Sequence, residues 1–474
     1  MDYEIVVGLE IHSELKTKTK AFCACPNKFG LAINTATCPV CMGMPGALPT
    51  VNQEAVKYSI KSGLAFDCDI NRKIVFERKN YFYPDLSKAY QISQLEFPVA
   101  VNGKIRYKLD GENKFCRINN IHMEEDAGKN IHDDKLKISL VDFNRCGVPL
   151  IEIVTEPDIR SGEEAVKVLE SIKETLLSIG VSDCKMQEGS LRCDVNISLH
   201  KKGEPFGTRT EMKNLNSFKA VSRAIEYEAN RQAKILDEGG VIVQETRRWD
   251  DQKGENFSLR SKENSNDYRY FKDPDIQPIH ISDEYIEKIK AEISELPFDK
   301  KERYRNVLNL PEHDISVLTL DSKISDYFES CLKLYDNAKV VSNWVMGDVL
   351  RKIKEDFSDD YNFKVSPQNL VELIKLVESK QLSVNASKEV LDAMWGTDKN
   401  PQSLMEGLGL KQTNNQDEIE QIVKSVLDSN PKAIEDYKSG NERTFTFLVG
   451  QVMKNSRGKA NPQIVRELLL KLLA

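Results

Sequence analysis

Long apolar runs are missing from this chain of 474 residues. Nothing approaches the roughly 18 consecutive apolar residues that a membrane helix needs, so neither a span nor a membrane partner is expected. The phosphate-cradling G-x-x-x-x-G-K-[ST] loop is absent, which argues against a P-loop nucleotide fold. An excess of positive charge is missing as well. The chain has 67 Lys and Arg against 74 Asp and Glu, a formal net charge of −7. That balance argues against a protein that coats nucleic acid indiscriminately and leaves room for a local basic patch. No internal repeat and no low-complexity tract is visible. The N-terminus shows neither a basic leader nor a cleavable apolar segment, so a cytoplasmic protein is expected. In that compartment its ten cysteines are expected to be metal ligands or packing residues rather than disulfides.

What is present divides the chain, whose length suits two to four domains. Up to about residue 290 the sequence is strand-rich, as in "KIVFERKNYFYPD" and "KLKISLVDFNRCGVPLIEIV". Asn102-Gly103 and Asp110-Gly111 read as hairpin turns. Two helices are expected to interrupt this region, at about Gly162–Ile179 and Ser217–Asp237. Near "ELPFDKKERY" the periodicity becomes helical and remains so. Asn461-Pro462 supplies an N-cap and first-turn proline for a last helix carrying Ile464, Val465, Leu468 and Leu469. The expected fold class is α+β: a β-rich platform or cradle domain over 1–292, a helical bundle over 293–407 and a small all-α tail over 408–474.

"FCACPNKFGLAINTATCPVCMGMPG" holds Cys23-x-Cys25 and, after a loop, Cys38-x-x-Cys41. Two close pairs about a dozen residues apart suit four thiolates around a tetrahedral zinc. With four protein ligands there is no open position, so the expected role is structural. Four buried thiols in a reducing cell are the alternative.

The opening strand "VGLEIHSEL" alternates. Ile5, Val7, Leu9 and Ile11 fall on one face, and Glu10, His12 and Glu14 on the other. A merely wet polar face would explain one such strand. Three more acidic stretches follow: Glu124, Glu125 and Asp126; Glu188, Arg192, Asp194 and Asn196; and Glu211 with Lys213. Packed carboxylates repel one another unless a cation holds them. Oxygen donors with a single His suit Mg²⁺ or Mn²⁺ better than zinc. Lys79, Lys88, Arg145 and Lys213 could then face phosphate oxygens. The residues alone lead to a metal and possibly phosphate site on a β-rich platform.

The stretches "VGLEIHSELKT", "RKNYFYPDLSKAYQISQ", "IHMEEDAGK", "VDFNRCGVPLIEIVTEPDIRS", "EGSLRCDVNISL", "GTRTEMKNLNSF", "ETRRWD" and "NDYRYFKDPDI" resemble the B-subunit family of the bacterial aspartyl/glutamyl-tRNA amidotransferases, the GatB/GatE family. "FLVGQVMKNSRGKANPQIVRELL" resembles the family's tail domain. The resemblance implies an ATP-dependent carbon–nitrogen ligase acting within a complex. The side-chain acid of Glu-tRNA(Gln) or Asp-tRNA(Asn) is phosphorylated by ATP, and ammonia then displaces phosphate. It implies an amidase A subunit that supplies ammonia and a small C subunit. It also implies a metal set of Glu10, His12, Glu125, Asp194 and Glu211 for Mg²⁺ or Mn²⁺. Lys79, Arg145 and Lys213 would stabilise phosphate or acyl phosphate, and Lys88 and Arg192 would contact ATP. Glu14, Glu124 and Asp126 are read as supporting or surface groups.

No glycine- and serine-rich amidase stretch and no Cys–His glutaminase signature is present, which independently asks for a partner. Cys116 and Cys146 read as core residues. Lys454, Arg457 and Lys459 in "MKNSRGKANP" are candidates for tRNA phosphates. The sequence departs from the family pattern at Ser87, Asn120, Leu259 and Lys272, expected to affect local loop shape alone. Two other readings stand beside this one: a non-catalytic tRNA-binding scaffold, and a ligase acting on a free small acid.

Overall fold

The computed structural model describes residues 3–133, 135–261, 265–356, 361–412, 416–456 and 459–473. The chain forms two compact units, Met1–Lys300 and Lys301–Ala474.

The first unit is built on a nine-stranded sheet. In chain order its strands are β1 (Tyr3–Glu14), β2 (Asp69–Ile70), β3 (Ala100–Leu109), β4 (Glu112–Glu125), β5 (Pro149–Thr155), β6 (Leu191–Lys201), β7 (Thr210–Leu215), β8 (Glu245–Asp250) and β9 (Glu255–Ser261). Their spatial order is 9-8-7-6-1-5-4-3-2. Neighbours are antiparallel except β7 and β8, which run parallel. The opening strand is therefore the central one. Period-two alternation sends Val7, Leu9 and Ile11 into the core with Ile151, Ile153, Val195 and Ile197. Helices α1 (Gln53–Ala65), α2 (Gly162–Ser178) and α3 (Phe218–Asp237) bury their apolar stripes in the same core. The other face of β1 carries Glu10, His12 and Glu14.

Ser161 and Ser217 cap α2 and α3, so the two expected helices begin where their serines accept backbone N–H groups. Helix α1 is an addition to those two; Asn52 caps it by accepting from Glu54 N and Ala55 N. Asp110-Gly111 is the expected two-residue hairpin, with φ of 52° and 81° between Leu109 and Glu112. Asn102-Gly103 is not a turn. β3 continues through it with Asn102 at φ 57°, and Gly103 lets the 66–68 segment approach closely. A Cβ at Gly103 would meet Cys68 Sγ at 2.2 Å and Phe66 O at 2.9 Å.

The second unit is helical throughout its described residues. Tyr304, Phe328, Val341, Leu370, Leu391 and Met405 belong to one hydrophobic cluster. Ile419, Val423, Leu448, Val465 and Leu469 belong to another. The last helix, Pro462–Leu473, begins at Asn461, whose Oδ1 accepts from Gln463 N at 3.0 Å.

Candidate functional site

Register across the sheet sets the polar face. His122 of β4 lies opposite Glu152 of β5, Glu152 opposite His12 of β1, and His12 opposite Arg192 of β6. Glu152 Oε2 is 3.3 Å from His12 Nε2 and 3.1 Å from His122 Nε2. Glu124 stands beside them, its Oε1 3.6 Å from His12 Nε2. His122 Nδ1 lies 2.9 Å from Asn120 Oδ1, so a residue expected to touch only loop shape sits on the site face. Burial disfavours a charged imidazole, yet Glu152 and then Glu124 raise His12 to about 9. Glu152 answers in kind: burial opposes its charge, and the two imidazoles pull it well below the usual carboxylate range.

One step along β1, Glu10, Asp194 and Glu211 gather with carboxylate oxygens within 4.8 Å of one another. Asn196 Nδ2 donates to Glu10 Oε1 at 2.8 Å, and Thr246 Oγ1 donates to Glu211 Oε2 at 2.7 Å. Burial, then Glu152 and Glu211, raise Glu10. The Lys213 ammonium pairs with Asp194 and lies 3.3 Å from Glu211. Positive charge is thus already drawn to this cluster. Three carboxylates with one ammonium fit a hard divalent cation.

At the opposite end of β1's face, Arg192 Nη2 donates to Asp126 Oδ2 at 2.7 Å. Arg145 approaches the same oxygen at 3.5 Å and donates to Ala127 O and Gly128 O. Burial and then Asp126 raise Glu14 to about 7, against the pull of both arginines. Lys79, on the short strand Glu77–Asn80, sits 5.0 Å from the Tyr268 ring centroid. Burial disfavours its charge, but Glu124, Tyr270 and Glu152 together outweigh that and raise it.

The expected metal set is therefore brought together in part. Glu10, Asp194 and Glu211 converge. His12 belongs to a separate group with Glu124 and Glu152. Glu125 joins neither group: its Oε1 pairs with Lys88 and accepts from Ile92 N at 2.9 Å. Alternation explains the exchange, because Glu124, and not Glu125, shares a face with His122. Glu124 and Asp126 are buried, so neither is a surface group. Sequence reasoning misses His122 and Glu152. The signals for them are the H-x-E pair in "IHMEE" and the one acid inside the apolar "PLIEIVT".

Cys23, Cys25, Cys38 and Cys41 converge, with sulfurs within 4.8 Å of one another and Cys38 and Cys41 at 3.9 Å. Four sulfurs at ~2.3 Å from a tetrahedral zinc would lie about 3.8 Å apart, so the donor set fits that ion. Cys41 is held below the usual thiol range by a hydrogen bond from Cys23 and by the Lys20 ammonium, against burial. The knot touches the rest of the site. Ser87 Oγ donates to Cys41 O at 2.6 Å, next to Lys88. Cys116 and Cys146 are buried, as expected.

Family models for the "GatB/GatE catalytic domain" and the "GatB domain" match residues 5–287 and 326–473. The chain belongs to the GatB/GatE family. It is 53% identical to the B subunit of the aspartyl/glutamyl-tRNA(Asn/Gln) amidotransferase of Caldicellulosiruptor saccharolyticus, over 99% of this chain and 98% of that one. It is 50% identical to the corresponding protein of Thermoanaerobacter pseudethanolicus, over 99% of each. The GatB/GatE catalytic-domain match contains both acid clusters and the cysteine knot. The GatB-domain match contains Lys454 and Lys459, both exposed near the end of the helix Glu442–Asn455. Arg457 lies outside the described residues.

Proposed function

We propose that the chain is the B subunit of a tRNA-dependent amidotransferase that forms Gln-tRNA(Gln), Asn-tRNA(Asn) or both, working in the cytoplasm with an amidase A subunit and a small C subunit. The observation that carries this reading is the central strand's polar face, where two acid clusters converge inside the matched catalytic domain.

A carboxylate oxygen is a poor leaving group. The side-chain carboxylate of the misacylated tRNA therefore attacks the γ-phosphorus of ATP, and ADP departs. Ammonia adds to the resulting acyl phosphate, inorganic phosphate leaves, and the amide remains. Bound at Glu10, Asp194 and Glu211, Mg²⁺ or Mn²⁺ supplies neutralisation of phosphoryl oxygens. Lys213, already on these carboxylates, stabilises the same charge from the protein side. Lys79, kept protonated by Glu124, Tyr270 and Glu152 together, serves the acyl phosphate. His12, fixed between Glu152 and Glu124, aligns the group that receives the phosphoryl.

Glu125 and Lys88 act as a pair at the rim of the site. Arg145 and Arg192 are held by Asp126, from which they face incoming anionic substrate. A structural zinc holds the cysteine knot. The tail's Lys454 and Lys459, with Arg457, contact tRNA phosphates, so platform, helical bundle and tail divide chemistry from tRNA binding.

The test is amidation by the assembled complex with ATP, Mg²⁺, ammonium chloride and Glu-tRNA. Amidated tRNA together with ADP, both lost in Asp194→Asn, is the expected result. Tight tRNA binding with neither product would leave only a scaffold.

A further inference from the structure

Two aromatic and basic stretches, "NYFYPD" and "DYRYFKD", lie side by side in the fold, although 188 residues of chain separate Asn80 from Tyr268. The strand Phe271–Lys272 pairs antiparallel with Glu77–Asn80 and sets Phe271 opposite Arg78. Asn80 Nδ2 ties the two stretches further, donating to Tyr268 O at 3.3 Å and to Arg269 O at 2.8 Å. The pairing assembles a run of rings. Tyr81 meets Tyr268 edge-on with centroids 6.2 Å apart, and Tyr268 meets Tyr270 in the same way at 6.3 Å. On the outside Phe82 is 76% exposed and Tyr83 60% exposed. The Arg269 guanidinium lies 5.9 Å from the Phe82 centroid.

The inner end of this run reaches the site. Lys79 Nζ, 5.0 Å from the Tyr268 centroid, belongs to the strand that leads into Tyr81. Burial pushes the hydroxyls of Tyr81 and Tyr270 up, against the pull of Lys79, and Glu124 adds to the rise of both. Among the described residues, none of the hydroxyls of Tyr81, Tyr268 and Tyr270 makes a hydrogen bond. Arg269 is exposed and, among the described residues, pairs with no carboxylate. In a chain with seven excess acids, a guanidinium left so beside an exposed ring calls for an anionic partner. Single-stranded nucleic acid supplies both complements at every step, a base face for each ring and a phosphate for each cation. RNA is gripped in this way at its unpaired segments, where bases are free to leave their own stack.

We propose that this aromatic run is the track for the unpaired 3′ end of the tRNA, with its bases stacked on Phe82 and Tyr268 and its phosphates met by Arg269. This rests on the amidotransferase reading above, in which the reacting carboxylate is carried on that end and Lys79 serves its acyl phosphate. The rings then lead inward from solvent to the ammonium that the aminoacyl group must meet.

The experiment measures the affinity of the assembled complex for uncharged tRNA(Gln), intact or shortened by its unpaired 3′ nucleotides. The proteins compared are wild type, Phe82→Ala, Phe82→Trp and Arg269→Ala. Wild type is expected to lose about 5- to 100-fold in affinity when the tRNA is shortened, the worth of one stacked base or more. Phe82→Ala, whose exposed position spares the fold, is expected to bind intact tRNA more weakly by a similar factor and shortened tRNA as wild type does. Phe82→Trp keeps a stacking face and should retain the difference between the two tRNAs. Arg269→Ala should lower the slope of log affinity on log salt for intact tRNA by about 0.7, one phosphate contact on a single strand. Unchanged affinity of Phe82→Ala for intact tRNA, or equal weakening for both tRNAs, would overturn the proposal. Release of the amidase subunit from the Phe82→Ala complex, with tRNA affinity intact, would overturn it too and make the patch a protein interface. Absence of ATP-dependent amidation in wild type would instead sink the amidotransferase reading, whatever the variants do.

Discussion

Lys20 Nζ lies 3.6 Å from Cys41 Sγ in the interior of the protein. Its side chain is fully buried, it also donates to Ala36 O at 2.7 Å, and among the described residues no carboxylate pairs with it. A buried ammonium needs a counter-charge, and the Cys41 sulfur, held below the usual thiol range, supplies it. Four thiolates around a divalent zinc would carry two excess negative charges, so with that ion bound the need would be mutual.

Removing that ammonium is expected to loosen the metal. Lys20→Met keeps the buried stem and deletes the charge. Zinc transfer to a chromophoric chelator is then expected to become easier by about 10- to 100-fold, the usual cost of losing a group that supports a ligand. Lys20→Arg restores the charge and serves as the control. Equal zinc retention in Lys20→Met and wild type would show the contact to be incidental.

The imidazole–carboxylate cluster makes stability depend on pH. His12 is raised in the folded protein to about 9 from an ordinary 6.5. Its stabilising contribution is complete below 6.5 and is lost as pH rises through 9. The full linkage is at most about 3 kcal/mol. Urea unfolding without added divalent cation, followed from about pH 6 to 9.5, should show that decline, and Glu152→Gln should flatten it. A pH-independent midpoint in wild type would contradict the assigned charges.

Glu14 carries the opposite sign. Its acid form is favoured in the fold, up to about 7 from 4.5, by burial and by Asp126. An acid raised in this way costs stability once pH exceeds its unfolded value. Glu14→Gln is expected to stabilise by about 1–3 kcal/mol at about pH 8 and to change little at about pH 4. Denaturant midpoints at the two pH values decide it.

Gly103→Ala is expected to destabilise by about 1–3 kcal/mol, the range for forcing an extra methyl into packed surroundings. Its Cβ would need the space held by Cys68 Sγ and Phe66 O. Gly111→Ala tests a different cause: nothing lies within 4 Å of a Cβ there, but φ is +81°. Equal, small effects at both positions would argue that β3 relaxes freely.

These residues also show where the amino-acid sequence speaks and where it falls silent. Alternation in "VGLEIHSEL" places Glu10, His12 and Glu14 on one face, because a strand's period is a local property. The partition of that face into two clusters is not local. It depends on β5 lying between β1 and β4, which brings Glu152 between His12 and His122. Nothing in "PLIEIVT" announces that neighbour. The exchange of Glu125 for Glu124 is a one-residue error of phase, which in a strand turns a side chain to the opposite face. Asn102-Gly103 misleads for another reason: the glycine answers a packing demand from the 66–68 segment rather than a turn. The cysteine knot is legible because two close cysteine pairs about a dozen residues apart announce themselves by spacing.

The central position of β1 has a consequence for synthesis. Leu9 N donates to Thr155 Oγ1 across 146 residues of chain, and β1's other neighbour, β6, lies later still. At ribosomal speeds of ~5–20 residues per second, β1 waits on the order of ten seconds for its first partner and longer for its second. During that interval its backbone donors and its Val7–Leu9–Ile11 stripe face water or a chaperone. The strand that carries the clustered acids and imidazole is also the strand left longest alone.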